Sequence, residues 1–503
     1  MLRIYDLVKM ANVFPRGSWL GLRKFSHQPS IYFAMSFIIL IAAAVGMIWG
    51  AVYLRRGSLV AGALAFLLSA AALGHDLWHL SLGPLPLTID RLLIAGLAVA
   101  FVIHWRLGKV DTKPLQRVDL LLAAFLLLLV ISTFTADWRV SLPGYVSPLW
   151  RLIVGYLMPA AVYWIVRQSP LSEKTLRRTC GVMFVFGAYL AITGLLEIAG
   201  QWSFVFPRYI ADPHVGEHFG RARGPMVNSV SYGLMLSVCL LCGWAVWPKL
   251  SRGLQLVALL LVPVFLAGVF FSYTRSVWLG TVLAALVIAA VSLRGRVRGV
   301  VLGGAVLSGL MIAAVLGSSI LAFNRNDNTA AETSQSVSMR GSFAFVSWQM
   351  FQDRPLLGFG FGQFPKEKLP YLGDRSTSLQ LETLRPYVHH NTYLSLLTET
   401  GAVGLALFTL ILALWIKNGL ALARSAQAPP WARRWGILSL AVLAVYATQA
   451  LFHELTYTPL DTSLVFFFAG ITAGLQPLRD EAAAAVAEKA PVPLTDRQPV
   501  LQC

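Results

Sequence analysis

Charged residues are scarce in this sequence. Only 13% of its 503 residues are charged, 57% are hydrophobic, and the mean hydropathy is +0.66. That balance is too apolar for a water-soluble fold, so lipid is the expected solvent. Acidic residues are fewer than basic ones, with 23 Asp and Glu against 41 Lys and Arg, so the formal net charge is +18. The basic residues lie in short loops between apolar runs, where membrane topology retains them, so the excess does not indicate a nucleic-acid partner.

Cysteine is nearly absent as well. Three of the four cysteines lie within apolar runs and the fourth is the last residue of the chain: Cys180, Cys239, Cys242 and Cys503. No pair is placed for a disulfide between loops. Cys239 and Cys242 form a CxxC, but one helical turn inside a lipid-embedded segment favours packing over metal or redox use.

Motifs for nucleotides and metals are also missing. The sequence has no phosphate-binding loop of the Walker type, which argues against nucleotide hydrolysis as an energy source. His75 and His79 in HDLWH have the spacing of a helical metal pair, but no third ligand is evident. The HELTY stretch from His453 to Tyr457 lacks the second histidine of a zinc protease motif. We therefore expect no metal and no other cofactor.

Long apolar runs are what the sequence has instead. Runs of about 17 to 25 residues, the length that crosses roughly 30 Å of hydrocarbon as a helix, recur along the chain. They predict an all-α fold, a polytopic transmembrane bundle of about 12 to 13 spans. The predicted spans are 33–54, 58–74, 88–105, 119–135, 149–166, 179–199, 227–247, 254–272, 277–293, 299–322, 392–416, 435–452 and 461–476.

The spans divide the chain into five parts. We expect a basic N-terminal segment, 1–30, that suits an interfacial helix, followed by a first set of transmembrane helices, 31–322. A long outer loop with short helices, 323–391, then leads to a second set of transmembrane helices, 392–476, and a polar tail, 477–503. A second long connection runs over 200–226. Thirteen spans would leave the basic N-terminus outside, whereas basic segments are normally retained on the cytoplasmic side. The number of spans near the N-terminus therefore stays open.

The orientation follows from the loop charges. Lys and Arg are retained on the cytoplasmic side of a membrane. One alternate set of loops is rich in them: Arg55, Arg56, Arg106, Lys109, Lys113, Arg117, Arg167, Lys174, Arg177, Arg178, Lys249, Arg252, Arg294, Arg296, Arg298, Lys417, Arg424, Arg433 and Arg434. The other set, which includes both long connections, is therefore expected to face outward.

A few arginines remain on that outer side, where topology disfavours them. Arg221 and Arg223 stand in GRARGPMVNSVSYG before a span, and Arg275 stands in FSYTRSVWLG between two spans. A guanidinium is a permanently charged fork of donors that suits a phosphate or pyrophosphate. The alternative is an interfacial arginine that reaches towards lipid headgroups.

A histidine precedes the span that ends the long outer loop. In RPYVHHNTYLSLLTETGAVGLALF, Asn391 is a good N-cap, so His390 would lie at the positive end of the next helix. Its proton affinity should be lowered there, and a neutral imidazole could act as general base towards an acceptor hydroxyl. The alternative is a simple hydrogen-bonding role.

The long outer loop carries some order of its own. In MRGSFAFVSWQMFQDRP, Phe343, Val346 and Met350 recur at helical spacing, which predicts a helix along the membrane surface. Such a helix either roofs a cavity for a lipid-linked substrate or packs on the bundle. The glycines that follow in PLLGFGFGQF favour a tight loop over a dinucleotide site: Gly358, Gly360 and Gly362.

Four stretches together resemble the bacterial O-antigen ligase and O-antigen polymerase superfamily. They are RGPMVNSVSYG, SYTRSVWLG, MRGSFAFVSWQMFQDRPLLGFGFGQF and HHNTYLSLLTETGAVGLALF, within about residues 200–416. The resemblance implies a metal-independent, inverting glycosyltransferase of the bacterial cytoplasmic membrane, with its active site facing the periplasm. The implied donor is a glycan linked to undecaprenyl pyrophosphate, and the acceptor is a glycan, a lipid A core or another hydroxyl, as in the synthesis of lipopolysaccharide and other cell-envelope polysaccharides.

The resemblance also implies roles for single residues. Arg275 looks like the essential arginine of the family and His390 like its essential histidine. Arg223 looks like the earlier outer arginine, although Arg221 leaves the register open. Arg340 and Arg385 also match family-like positions, as further pyrophosphate ligands, and Glu399 matches one that would support the site with the cap Asn391.

Several functions remain open at this point. Ligation to a lipid A core, polymerisation of repeat units and transfer to a protein would all use the same donor. A different class of protein, a glycolipid transporter or flippase, would also need outward arginines and many spans, and could use an acidic residue within the membrane such as Glu197. The sequence shows none of the internal repeats that transporter folds have.

Overall fold

The computed structural model describes residues 55–73, 79–82, 85–110, 112–138, 146–321 and 330–478, together with Gly50 and Tyr53. The chain divides into a small N-terminal unit, Met1–Tyr53, and a large unit, Leu54–Cys503. The basic segment 1–30 lies outside the described residues, as do nearly all of the first predicted span and of the polar tail. All that follows concerns the large unit.

Helices form most of the described chain. In order they are α1 Leu59–Ala72, α2 Ile89–Arg106, α3 Arg117–Thr135, α4 Pro148–Gln168, α5 Glu173–Ile198, α6 Ser229–Val246, α7 Arg252–Phe271, α8 Arg275–Ser292, α9 Gly295–Leu321, α10 Ala330–Asp353, α11 Phe364–Glu367, α12 Thr392–Arg424, α13 Pro430–Phe452 and α14 Pro459–Gly474. The described residues also contain short 3-10 turns in the connections and an antiparallel hairpin between α1 and α2, with β1 His79–Leu82 paired to β2 Leu85–Thr88. Each predicted span from 58–74 onward coincides with one of these helices.

Eight helices of the described chain are long and apolar enough to cross a membrane, namely α3 to α8, α12 and α13. The all-α, polytopic bundle that the apolar runs predict is therefore confirmed. The expected number of spans, about 12 to 13, is larger because shorter apolar helices such as α1, with 14 residues, coincide with predicted spans without meeting that length. The surface of α7 carries exposed Leu256, Leu259 and Leu260, as expected of a helix that faces lipid.

The core of the bundle lies around α6 and α13. In their most apolar stretches 83% and 72% of the residues are buried, compared with 22% in those of α7 and α8. Small residues let the inner helices approach closely. A Cβ on Gly436 of α13 would lie 2.8 Å from the Gly419 carbonyl oxygen of α12, and a Cβ on Gly470 of α14 would lie 2.5 Å from the Tyr163 carbonyl oxygen of α4. These close approaches lie near the end of α12, the start of α13 and the end of α14, where they pack α12 against α13 and α14 against α4.

The long outer loop has a hydrophobic core of its own. Phe343, Val346 and Met350 are buried on one face of α10, whereas Trp348 is 55% exposed on the other. The predicted amphipathic helix is therefore confirmed. The same core includes Phe364, Leu372, Leu381 and Leu384, and α10 also packs against α12 of the bundle.

A break in α12 fastens this loop to the bundle. Gly401 has φ 64° and ψ −165° inside the helix, a backbone conformation that favours glycine. The glycine-rich turn 358–362 lies against the break, where the Gly360 N–H donates to the Glu399 carbonyl at 2.9 Å. A Cβ on Gly401 would lie 2.2 Å from the Leu356 carbonyl oxygen. The predicted tight loop is therefore observed, and it meets α12 soon after the helix begins.

Candidate active site

Charged and titratable side chains converge at one end of the bundle. Arg275 is the first residue of α8, Arg221 precedes α6, and His390 precedes α12. His453 follows α13, and Arg340 lies on α10 of the outer loop. The five side chains come from elements that are far apart in sequence, so the fold rather than any local motif assembles them.

The charges of this cluster act on one another. Burial lowers the pKa of the Arg340 guanidinium, and the positive charge of Arg275 lowers it further. Burial also lowers the pKa of His390, where Arg340 adds to the effect and the carboxylate of Glu454 opposes it. The lowered pKa favours the neutral form of His390, and a bound anion would relieve the repulsion between the neighbouring arginines.

A second histidine, His453, lies in the same cluster. Burial lowers its pKa to about 3, and coulombic interactions with Arg340, His218, His390 and Arg221 lower it further, in that order. Its Nε2 lies 3.0 Å from the Oγ of Ser276, the residue after Arg275. Sequence reasoning considered His453 only for a zinc motif. The signal available was its position at the end of a predicted span, on the side where the loop charges also place the arginines.

A hydrogen-bonded chain ties the loop that carries Arg221 to the start of α8. His218 Nδ1 lies 3.1 Å from the Ser229 Oγ, and that oxygen lies 3.1 Å from the Oγ1 of Thr274. Thr274 is the residue before Arg275. The loop 200–226 and the start of α8 are thus held together at the cluster.

The environment of His390 fixes its ring. The ring packs edge-on against Phe343 of α10, with centroids 5.1 Å apart. The next residue, Asn391, is the N-cap of α12, because its Oδ1 accepts from the Leu394 N–H at 2.9 Å. Its Nδ2 also donates to the Leu451 carbonyl at 2.8 Å, which joins the start of α12 to the end of α13. The cap that the sequence predicts is therefore present.

A buried charged network adjoins the cluster. Arg151 of α4 is 1% exposed and donates from Nη1 to both carboxylate oxygens of Glu399, at 2.9 and 2.8 Å. Its Nη2 lies 3.3 Å from Glu454 Oε2. The Oγ1 of Thr392, at the start of α12, donates to the carbonyl of His453 at 3.0 Å. These contacts join the start of α12 to the loop after α13.

Sequence reasoning missed the main members of this network. Neither Arg151 nor Glu454 was singled out from the sequence. Glu399, a predicted supporting residue, lies inside the network rather than in the cluster, since it is bound to Arg151 and is 1% exposed. The position of an arginine at the outer end of a span was the one available signal, because topology disfavours arginine there.

Arg223 is not brought into the cluster. Its side chain is 1% exposed and donates to the carbonyls of Val215 at 2.6 Å, Ile210 at 2.9 Å and Asp212 at 2.8 Å. A guanidinium used in this way supports the backbone of the loop. That geometry does not agree with the expected pyrophosphate-binding role of Arg223, and Arg221 takes its place in the cluster.

Arg385 also lies elsewhere. It is 58% exposed on the outer loop and forms an ion pair with Glu382 at 2.8 Å. Its charge acts on Lys368, whose pKa is lowered to about 8 first by burial and then by Arg385. Of the predicted ligands and catalytic residues, the structure brings together Arg221, Arg275, Arg340 and His390.

The described residues contain no group of three or more His, Cys, Asp or Glu side chains arranged to hold a metal ion. His79 of the HDLWH stretch is the first residue of β1 and so is not helical, while His75 and Asp76 lie outside the described residues. The thiols of Cys180, Cys239 and Cys242 are buried and free.

The fold and the cluster define a polytopic helical membrane protein with a cationic, histidine-containing site at one end of its bundle. A sequence model of the O-antigen ligase family matches residues 260–409, from within α7 to within α12. This match confirms the resemblance to the O-antigen ligase and polymerase superfamily, and it includes Arg275, Arg340 and His390. No curated protein sequence matches the chain at a significant level.

Proposed function

We propose that the chain is a membrane glycosyltransferase that transfers or polymerises a glycan linked to undecaprenyl pyrophosphate on the outer face of the bacterial cytoplasmic membrane. The observation that carries the proposal is the convergence of Arg221, Arg275 and Arg340 with His390 at one end of the bundle. The loops rich in Lys and Arg lie at the other ends of the same helices, which supports an outward site.

The three arginines bind the pyrophosphate of the donor. Each guanidinium offers paired donors that match two phosphate oxygens, and its charge persists at any physiological pH. When the glycosidic bond to phosphate breaks, negative charge grows on the leaving pyrophosphate, and arginines already in place stabilise it. The same three groups supply the charge that a divalent metal supplies in other transferases, so the reaction needs no metal.

His390 acts on the acceptor. Its neutral ring takes the proton of the acceptor hydroxyl as that oxygen attacks the anomeric carbon of the donor sugar. The new carbon–oxygen bond forms as the bond to the pyrophosphate oxygen breaks, and the bonding electrons leave with undecaprenyl pyrophosphate. Attack from the face opposite the leaving group inverts the anomeric carbon.

The buried residues hold this arrangement without touching substrate. The network around Arg151 fixes the start of α12 and so places His390. Arg223 keeps the loop before α6 folded, which places Arg221. His453 holds Ser276 beside Arg275 and stays neutral, so it adds no charge to the site at pH 7.

Surface glycans of a deletion strain test the proposal and sort its alternatives. Loss of glycan from lipid A core with long chains left on the polyprenyl carrier identifies a ligase, and loss of chain length identifies a polymerase. A precursor trapped on the cytoplasmic side of the membrane would instead identify a flippase and would contradict the transferase assignment.

A further inference from the structure

A groove of about 270 Å³ opens at the end of the bundle opposite the arginine cluster, between the starts of α5 and α13 and the end of α6. The chain directions place it there. Helix α6 begins near the cluster and ends at the groove, while α13 begins at the groove and ends at His453. The groove therefore lies on the side where the basic loops predict the cytoplasm.

The rim of the groove is basic. Arg177, Lys249 and Arg434 contribute three cations against the single carboxylate of Glu173. Glu173 is paired with Lys249 at 2.7 Å, and both side chains are partly exposed to solvent. The guanidinium of Arg434 lies over the ring of Trp244, 4.9 Å from its centroid, which holds it at the rim. The groove thus presents excess positive charge.

The floor and walls are apolar and rigid. Leu176, Cys180 and Val246 line the floor, and Trp431 and Trp435 form a wall. Trp435 is fixed by a hydrogen bond from its Nε1 to the Thr472 Oγ1 at 3.2 Å. Tryptophan beside basic residues at the end of a span is typical of the depth where lipid headgroups meet acyl chains.

We propose that this groove binds the headgroup phosphate of an anionic glycerophospholipid from the cytoplasmic leaflet. The arginines match the phosphate oxygens, and the apolar floor accepts the glycerol and the first acyl carbons. A free phosphate ion would satisfy the cations but would leave the apolar floor in contact with water. The cytoplasmic leaflet of a membrane is also rich in anionic lipid, which keeps such a groove occupied.

Lipid titration of the purified chain in neutral detergent tests this site, read by native mass spectrometry and by thermal unfolding. Phosphatidylglycerol should bind as one retained molecule and raise the Tm, whereas phosphatidylcholine with the same acyl chains and inorganic phosphate should do neither. The double variant Arg177→Gln/Arg434→Gln should bind phosphatidylglycerol on the order of 30-fold more weakly. The matched control is Arg178→Gln/Arg433→Gln, which removes two neighbouring cations that do not line the groove, and its affinity should be unchanged.

Several outcomes would overturn the proposal. Equal binding of phosphatidylcholine, equal weakening in the control variant, displacement by inorganic phosphate or preference for a polyprenyl phosphate would each do so. If the double variant is unstable without lipid, Lys249→Gln is the substitute, because Lys249 is exposed on a short turn. It should weaken binding about fivefold, and an unchanged affinity would count against the groove. None of these readouts depends on the proposed transferase activity.

Discussion

Arg221 and Arg223 are two positions apart and have opposite surroundings. Arg223 is buried and donates to backbone carbonyls, whereas Arg221 contributes charge to the cluster around His453. Arg223→Gln should therefore lower the free energy of unfolding by about 3 kcal/mol, because it leaves buried carbonyls unpaired. Arg221→Gln should leave Tm unchanged and weaken donor binding on the order of tenfold or more. Thermal unfolding and donor titration of both variants check this, and a stable Arg223→Gln protein with weak donor binding would reverse the two roles.

The pKa of His390 gives a pH dependence with a definite sign. Burial and the charge of Arg340 lower this pKa, so the neutral base persists below the usual histidine range. The value of kcat/KM should fall only as pH drops through that lowered pKa. Arg340→Gln removes one lowering charge, so the acid limb should move to higher pH. Arg385→Gln, which removes an exposed cation of the outer loop, should leave the limb in place, and an equal shift in both variants would contradict the assignment.

At the scale of elements, the break in α12 is the place where the long outer loop contacts the bundle. Gly401→Ala should destabilise the protein, because its φ of 64° is strained for alanine and the new Cβ would lie 2.2 Å from the Leu356 carbonyl oxygen. We expect a loss of at least about 2 kcal/mol in thermal unfolding. The control is Gly253→Ala in α7, where a Cβ meets nothing within 4 Å. It should be neutral or slightly stabilising, since alanine favours helix.

Sequence periodicity predicts the helices well, but it predicts the contacts between them poorly. The face of α10 formed by Phe343, Val346 and Met350 follows from spacing alone, because the signal is local. The pairing of Arg151 with Glu399 joins residues 248 positions apart, and no local pattern encodes it. Helix α12 also extends to Arg424, past the predicted end at 416, because the helix continues beyond the apolar run from which its end was predicted.

The candidate site shows the same division. Arg275, Arg340 and His390 could be predicted because each stands in a short stretch with its own resemblance to the family. His453 could not, because its role depends on Ser276 from another helix. Arg223 resembled a ligand in sequence, and only the fold shows that its donors are used by the loop carbonyls.

At the scale of the whole molecule, the orientation rests on the loop charges. Single cysteines at Arg221, Lys366 and Asp374 should react with an impermeant thiol reagent in cells whose outer membrane is opened, while cysteines at Lys109 and Arg296 should not. The native thiols of Cys180, Cys239 and Cys242 are buried and give little background, and Cys503→Ser removes the remaining one. Labelling of Arg296→Cys from outside would reverse the orientation and place the arginine cluster in the cytoplasm.

The central claim is that the cluster transfers a glycan from a polyprenyl pyrophosphate. The direct measurement is transfer by the purified chain from that donor to a hydroxyl acceptor, with a chelator present. We predict product with an inverted anomeric carbon and one released polyprenyl pyrophosphate per bond formed. Arg275→Ala should weaken donor binding and slow transfer. Arg275→Lys should recover little activity, because lysine lacks the forked donors of the guanidinium. His390→Ala should slow transfer by about two to four orders of magnitude and leave donor binding intact. Transfer at the normal rate by a correctly inserted His390→Ala protein, or abolition of transfer by the chelator with rescue by one metal, would contradict the account.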